Sequence, residues 1–199
     1  MNVSGPEALS TQASPEGSAR ITRPGEKVPG VRELGVLNHL IARIGAKVQG
    51  TETMGVFSTI GRARRLFKPW LVYSAMMMPF GYLSRRETEL VILRVAHLQR
   101  SEYEAAHHRK LAASAGLKNE QIQAMEGESH GQTRRWGVIL DAVDQIVAHG
   151  EVDEPTWSAL ATYLSDRERV ALVMLVTNYA GLATALSVLG TPVDRKRTS

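Results

Sequence analysis

The chain has 199 residues, 43% of them hydrophobic and 22% charged, enough apolar residues for one globular domain with its own core. It contains no cysteine, which excludes disulfides, thiolate metal sites and thiol catalysis. The net charge is +4, but the basic runs RARR (Arg62 to Arg65), Arg85–Arg86 and the C-terminal DRKRTS are short and no nucleic-acid-binding motif surrounds them. They read as solvated helix ends and a tail, or as groups that draw in an anionic substrate.

Residues 1–30 carry four of the eight prolines, with Ser and Gly between them. They are expected to form a flexible arm. No apolar segment of the secretory type is visible there, so a cytoplasmic protein is expected. Residues 31–193 read as a single helical domain and 194–199 as a basic tail. VRELGVLNHLIARIG has apolar residues at helical spacing. A second helical stretch, TMGVFSTIGRARRLFKPWLVYSAMM, is expected to break at Pro69. SRRETELVILRVAHLQR and SEYEAAHHRKLAASAG follow, the latter ending in the Gly of a helix C-cap. After KNEQIQAME come TRRWGVILDAVDQIVAHG, DEPTWSALATYL and SDRERVALVMLVTNYAGLATALSVLG. No stretch alternates with a period of two, so the class is all-α. The uncharged run Val170 to Val193 is long enough to cross a bilayer. Its Thr177, Asn178, Tyr179, Thr184 and Ser187 favour a core or subunit-interface helix, and no membrane partner is expected.

The chain repeats itself. YLSRRETELVILRV from Tyr82 and YLSDRERVALVMLV from Tyr163 lie 81 residues apart and share six of fourteen positions. Both carry a capping box, Ser84 with Glu87 and Ser165 with Glu168, ahead of an apolar helix. Two helical half-repeats are therefore expected to pack together. Sliding the copies without gaps puts Glu89 on Val170, Ser101 on Leu182, Glu104 on Ala185 and His108 on Leu189. As far as that alignment holds, the fold does not need Glu89, Glu104 or His108.

Those residues are the candidate site. Glu104 and His108, four apart, share a helix face. A carboxylate there fixes the imidazole tautomer and raises its basicity, which suits acid/base work near neutral pH. Glu89 lies near the start of a helix that is apolar nearly all round, where a carboxylate needs a partner, and His108 is a candidate. Ser101 to Glu104 (SEYE) is also a capping-box pattern, so Glu104 has a structural alternative. His107 has one as surface cover, Glu87 as a cap, and Tyr103 as a packed aromatic. Glu104 to His107 (EAAH) matches the Glu-x-x-His element of di-iron bundles, but the required second copy is missing, so no metal and no cofactor is expected. The three Met of SAMMMPFGYL read as core filler.

Arg85 to Met125 resembles the carboxymuconolactone decarboxylase family, which includes the alkylhydroperoxidase D-like proteins. The family signature is a Glu near the start of a buried helix. A short loop and C-x-x-C-x-x-x-H follow about a dozen residues on, then a Gly-Leu and an acidic, Ile-containing helix. Glu89, His108 and AGLKNEQI (Ala115 to Ile122) occupy these places, and Ser101 and Glu104 stand where the peroxidase branch has its two Cys. The resemblance implies an all-α, alkylhydroperoxidase D-like bundle of two half-repeats, assembled as a homo-oligomer, a trimer or hexamer. With no thiol, it implies decarboxylase-like acid/base chemistry of the lyase type on a small carboxylated lactone or related organic acid, rather than peroxide reduction. His108 would deliver a proton, with Glu104 or Glu89 orienting it. Arg94 or Arg100 would receive a carboxylate, and Tyr103 and His107 would contact the substrate. A non-catalytic binding protein on the same fold is the alternative. A sealed pocket holding Glu89 and His108 would favour the enzyme.

Overall fold

The computed structural model describes residues 21–197. The first twenty residues of the expected arm and the last two of the expected tail lie outside the described residues. The regular structure is α1 (Val31–Leu34), α2 (Val36–Gln49), α3 (Gly55–Ile60), α4 (Arg64–Met77), α5 (Arg85–Leu98), α6 (Glu102–Ser114), α7 (Asn119–Ala124), α8 (Arg134–His149), α9 (Glu154–Tyr163) and α10 (Asp166–Leu189), with a 3-10 turn at Pro24–Glu26. No strand occurs among the described residues, and the all-α class holds. The expected arm is not wholly detached. Arg23 donates to the Ser187 carbonyl at 3.2 Å, which seats the 3-10 turn beside the end of α10.

Helix α5 is the centre of the fold. Every residue from Glu87 to Ala96 is buried, because neighbours cover it on two sides. Val91, Ile92 and Val95 pack with Ile139, Val143, Leu172 and Val176 of α8 and α10. Leu90 and Leu93 face Ala112, Leu117, Ile122 and Met125 from α6, α7 and their connections. Such a helix has no solvent face to give its polar residues, so each must find a partner inside.

The two capping boxes form as the repeat predicts. Ser84 Oγ accepts from Glu87 N while Glu87 reaches back to Ser84 N at 3.1 Å. Ser165 and Glu168 do the same at the start of α10. Arg135 of α8 ties the two together, with Nε 2.6 Å from Glu87 Oε1 and Nη2 3.0 Å from Glu168 Oε1. Burial pushes the Glu87 carboxyl up, but the bonds from Arg135 and Ser84 outweigh it and hold it below its ordinary value. The Ser165 cap and Arg135 take Glu168 down to about 2.

Beyond α5 the ungapped repeat fails in space. α10 runs 24 residues without interruption, whereas the first copy breaks after Leu98. Arg100 takes a left-handed φ of 53°, and Ser101 caps a new helix by accepting from Glu104 N at 3.5 Å. Leu182, at the matching place, has no acceptor with which to cap. Leu189 and Ala185 are therefore not the spatial counterparts of His108 and Glu104. A second expectation also changes: Pro69 does not break its helix but lies within α4. Both Pro69 and Arg65, whose carbonyl loses its helical donor, are exposed, a setting in which solvent can take the place of that donor.

Helix α10 is the described helix long and apolar enough to cross a bilayer, with 33% of its apolar window buried within the chain. Its uncovered residues Val170, Met174, Thr177, Gly181, Thr184 and Val188 are exposed and fall at alternating steps of four and three, a single seam along one face.

Arg94 is 2% exposed and structural. Its guanidinium holds Asp144 of α8 at 2.6 and 2.7 Å. It also donates to the carbonyls of Gly127 (2.7 Å), Glu128 (3.2 Å) and Met125 (3.3 Å), which clamps the α7–α8 connection onto α5. Replacing it with Met strands those acceptors, so Arg94→Met is expected to lower unfolding stability by about 3–5 kcal/mol. Arg94→Lys, which has no planar fork, is expected to recover only part of this. Urea denaturation at neutral pH measures both.

Candidate functional site

α5 and α6 meet at a pair of carboxylates with an imidazole between them. Glu89 is fully buried, and its Oε2 lies 2.7 Å from His108 Nδ1. Its Oε1 sits 2.7 Å from Arg85 Nη2, one turn earlier on α5, as an ion pair without hydrogen-bond alignment. On the other side of the ring, Glu104 Oε2 is 3.4 Å from His108 Nε2. A carboxylate can only accept, so a carboxylate at each ring nitrogen favours the doubly protonated ring, an imidazolium. Burial by itself would lower the His108 pKa; the bonds and charges of Glu104 and Glu89 outweigh it and raise it to about 9. Tyr179 of α10 stands edge-on to the ring, at 5.3 Å between centroids. Glu104 does not close the capping box that SEYE suggested, since its carboxylate turns to His108 instead of back to Ser101.

His107 is not surface cover. It is 7% exposed, and its Nε2 lies 3.0 Å from Asp194 Oδ2. The expected basic tail thus begins with a buried acid: the Asp194 side chain is 3% exposed. It also accepts from Tyr103 OH at 2.7 Å, from Gly55 N at 2.9 Å and from Thr53 Oγ1 at 3.3 Å. Glycine suits position 55, because a Cβ there would come within 2.9 Å of Thr191 Cγ2 and 3.2 Å of Asp194 Oδ1, and those side chains would have to shift. Tyr103 in turn accepts from Val56 N at 2.9 Å. Its hydroxyl is thereby committed to the structure.

Glu104, His107 and His108 line one cavity of about 220 Å³, whose other walls include Met54, Phe57, Trp70, Met78, Leu111 and Leu182. Among the described residues no Lys or Arg lines it. Among buried side-chain polar atoms left without a partner, His107 Nδ1, Ser74 Oγ and Asn178 Nδ2 all belong to residues of this wall. An orphaned buried polar group costs about 1–3 kcal/mol, so their gathering at one cavity suits a ligand-binding site.

The structure therefore brings together Glu89, Glu104, His108, His107 and Tyr103. It does not bring Arg94 or Arg100 to the cavity. Arg94 is spent on Asp144 and the α7–α8 carbonyls. Arg100 is exposed and borders a separate surface depression with Glu102, Arg109 and Glu126. Sequence reasoning missed Asp194, Ser74, Asn178 and Tyr179. The last two had a signal, as polar residues inside the uncharged run from Val170; Ser74 and Asp194 had none. The EAAH reading also dissolves, because Glu104 turns to His108 while His107 turns to Asp194. Among the described residues no group of three or more His, Cys, Asp or Glu is arranged to hold a metal ion.

The sequence pattern of the Carboxymuconolactone decarboxylase family matches residues 67–130, the segment that carries Glu89, Glu104, His107 and His108. Residues 67–130 therefore carry a carboxymuconolactone decarboxylase-like pattern. No curated protein sequence matches it. Among solved structures, it is similar to an alkylhydroperoxidase AhpD core, an uncharacterized peroxidase-related protein from Ralstonia eutropha JMP134. That match has a TM-score of 0.73 and 16% identity over 84% of this chain and 90% of that one. A peroxidase-related protein from Silicibacter sp. TM1040 matches with a TM-score of 0.73 and 14% identity over 87% and 94%. A putative antioxidant defence protein AhpD from Agrobacterium tumefaciens matches with a TM-score of 0.60 and 19% identity over 65% and 91%. At these identities the likeness is one of fold.

The His108 clamp predicts a paired stability result. His108→Leu leaves Glu104 buried without a cation and Glu89 with Arg85 alone, and is expected to cost about 3–5 kcal/mol. Adding Glu89→Met and Glu104→Met removes the stranded charges, and the triple variant is expected to regain most of the loss. A raised pKa also sets the pH dependence. The stability gained from charging His108 is complete below the ordinary imidazole value of 6.5 and is lost as pH rises towards about 9. Urea midpoints across that interval are expected to fall more steeply for the parent than for the triple variant.

Proposed function

We propose that this carboxymuconolactone decarboxylase-like chain is an acid/base enzyme of the lyase type, acting on a small, mostly apolar molecule in the cavity. One observation carries the reading: an imidazolium, held by two carboxylates, lies on the wall of a cavity whose other walls are mostly apolar. The 3.4 Å contact to Glu104 is the looser of its two, so Nε2–H is the proton to offer a substrate, and Glu89 keeps the ring oriented from behind. Decarboxylation of an unsaturated lactone acid leaves a dienolate, which needs a positive group where charge develops and then a proton at carbon. His108 suits both needs. The carboxylated lactone implied by the family resemblance would have to rest its carboxylate on His108, since neither Arg94 nor Arg100 reaches the cavity. Thiol-based peroxide reduction has no nucleophile here. His108 lines a cavity, with Glu89 buried behind it and off the cavity wall, which supports an enzyme over a non-catalytic binding protein.

The proposal includes a cytoplasmic homo-oligomer. The exposed α10 seam has helix-pairing spacing and small residues, Gly181 and Thr184, at its middle, which suits close approach of a second copy.

Two measurements test this. Deuterium incorporation from D2O, followed by proton NMR, is offered two probes, an unsaturated γ-lactone and its carboxylated analogue. The parent is expected to accelerate exchange or decarboxylation of at least one, and His108→Gln to lower that rate by about 10²–10⁴-fold. Equal rates for parent and variant on both probes would sink the proposal. Gly181→Glu, at a position where a Cβ meets nothing within 4 Å, is expected to leave the fold intact and convert the oligomer to monomers by light scattering.

A further inference from the structure

His107 has no part in the reading above, yet it lines the same cavity, with Asp194 behind it. Nε2 of His107 faces a carboxylate that already accepts from Tyr103, Gly55 and Thr53. A carboxylate in that position takes the ring hydrogen at Nε2 and leaves the lone pair at Nδ1, the atom with no partner. The tautomer is thus set from behind, with the bare nitrogen belonging to a ring on the cavity wall. His108, next in sequence on α6, has hydrogens at both nitrogens. One helix therefore supplies an acid and a base to one cavity of about 220 Å³. Asn178 adds an unpartnered amide Nδ2 and Ser74 an unpartnered hydroxyl.

The same wall restricts the ligand's charge. Among the described residues the one cation on it, His108, stands between two carboxylates, one of which, Glu104, also lines the cavity. An anionic ligand would be desolvated against Glu104 with no uncommitted cation to meet it. An uncharged molecule with an apolar body and a carbonyl oxygen meets no such cost and can satisfy the orphaned donors.

We propose that His107 is a second acid/base group of this site, a general base positioned by Asp194, and that the cavity takes an uncharged unsaturated carbonyl compound and shifts a proton within it. This rests on the preceding reading of His108 as the acid. His107 Nδ1 takes the proton from the carbon α to the carbonyl. The C–H electron pair moves into the new C=C bond, and the carbonyl π pair moves to oxygen. His108 Nε2–H, with Asn178 Nδ2 alongside, supports that oxygen and protonates it. The enol then collapses: the oxygen returns its proton to His108 and the γ-carbon takes the proton held by His107. No atom is gained or lost and no oxidant or reductant is needed. Asp194 is a positioning residue, acting only through His107.

The test uses the full chain labelled with ¹⁵N at histidine. At neutral pH, long-range ¹H–¹⁵N spectra are expected to show His107 with hydrogen at Nε2 and none at Nδ1, and His108 with hydrogen at both. Asp194→Asn is expected to release the His107 tautomer while leaving His108 unchanged. Hydrogen at His107 Nδ1 in the parent, or freely mixing tautomers, would overturn the proposal and leave the preceding reading intact. A bare nitrogen on His108 would instead overturn that preceding reading, and with it the acid this proposal requires. With an uncharged β,γ-unsaturated γ-lactone as probe, the parent is expected to form the α,β isomer. His107→Gln should slow this by about 100-fold or more and Asp194→Asn by about tenfold. Turnover of the carboxylated analogue alone would overturn the proposed ligand class.

Discussion

Glu89 is a carboxylate on a helix with no exposed side, and the site is built around what that requires. A charge in such a place must be paired, and the residues that pair it come from two directions. Arg85 reaches it from one turn earlier on α5, and His108 comes from α6. For His108 to arrive, the chain must leave α5, turn at Arg100 and start again at Ser101. With Glu104 on the far side of the ring, the cluster holds two acids, one guanidinium and one imidazolium, so its charges cancel. Neutrality is what lets it sit against an apolar cavity.

The break between α5 and α6 separates the half of the chain that carries the candidate site from its repeat copy. Both halves begin with a serine cap, a glutamate that closes it, and an apolar helix, and Arg135 binds both glutamates. In the second half the helix continues as α10 and supplies Asn178 and Tyr179 to the cavity wall. One copy turns back on itself and gains a polar cluster. The other stays straight, closes the cavity and presents a seam outward.

Much of this was legible in the sequence because it depends on neighbours along the chain. Helix class, the two caps and the pairing of Glu104 with His108 all follow from spacings of three or four residues. Glu89 and His108 are nineteen apart, and their meeting was legible because a buried helix leaves a lone carboxylate few partners. Arg94 shows the limit of such reasoning. Proximity along the chain suggested a substrate ligand, but its position on α5 points it to α8, and its donors are consumed by Asp144 and three carbonyls. The ungapped repeat alignment reached too far for a similar reason, since it carried no record of where one copy turns.

The sequence by itself determined the all-α class, the two capped half-repeats, the absence of thiol chemistry and the acid–imidazole pairing on α6, because composition and local periodicity decide these. Only the tertiary structure decided which polar residues share a cavity. Asp194 lies 87 residues from His107 and 139 from Gly55, in a stretch whose composition reads as a basic tail. No local pattern marks it. Its burial exists because the chain, after α10, passes the start of α3, where a glycine leaves room for a carboxylate and the backbone N–H of Gly55 offers it a bond.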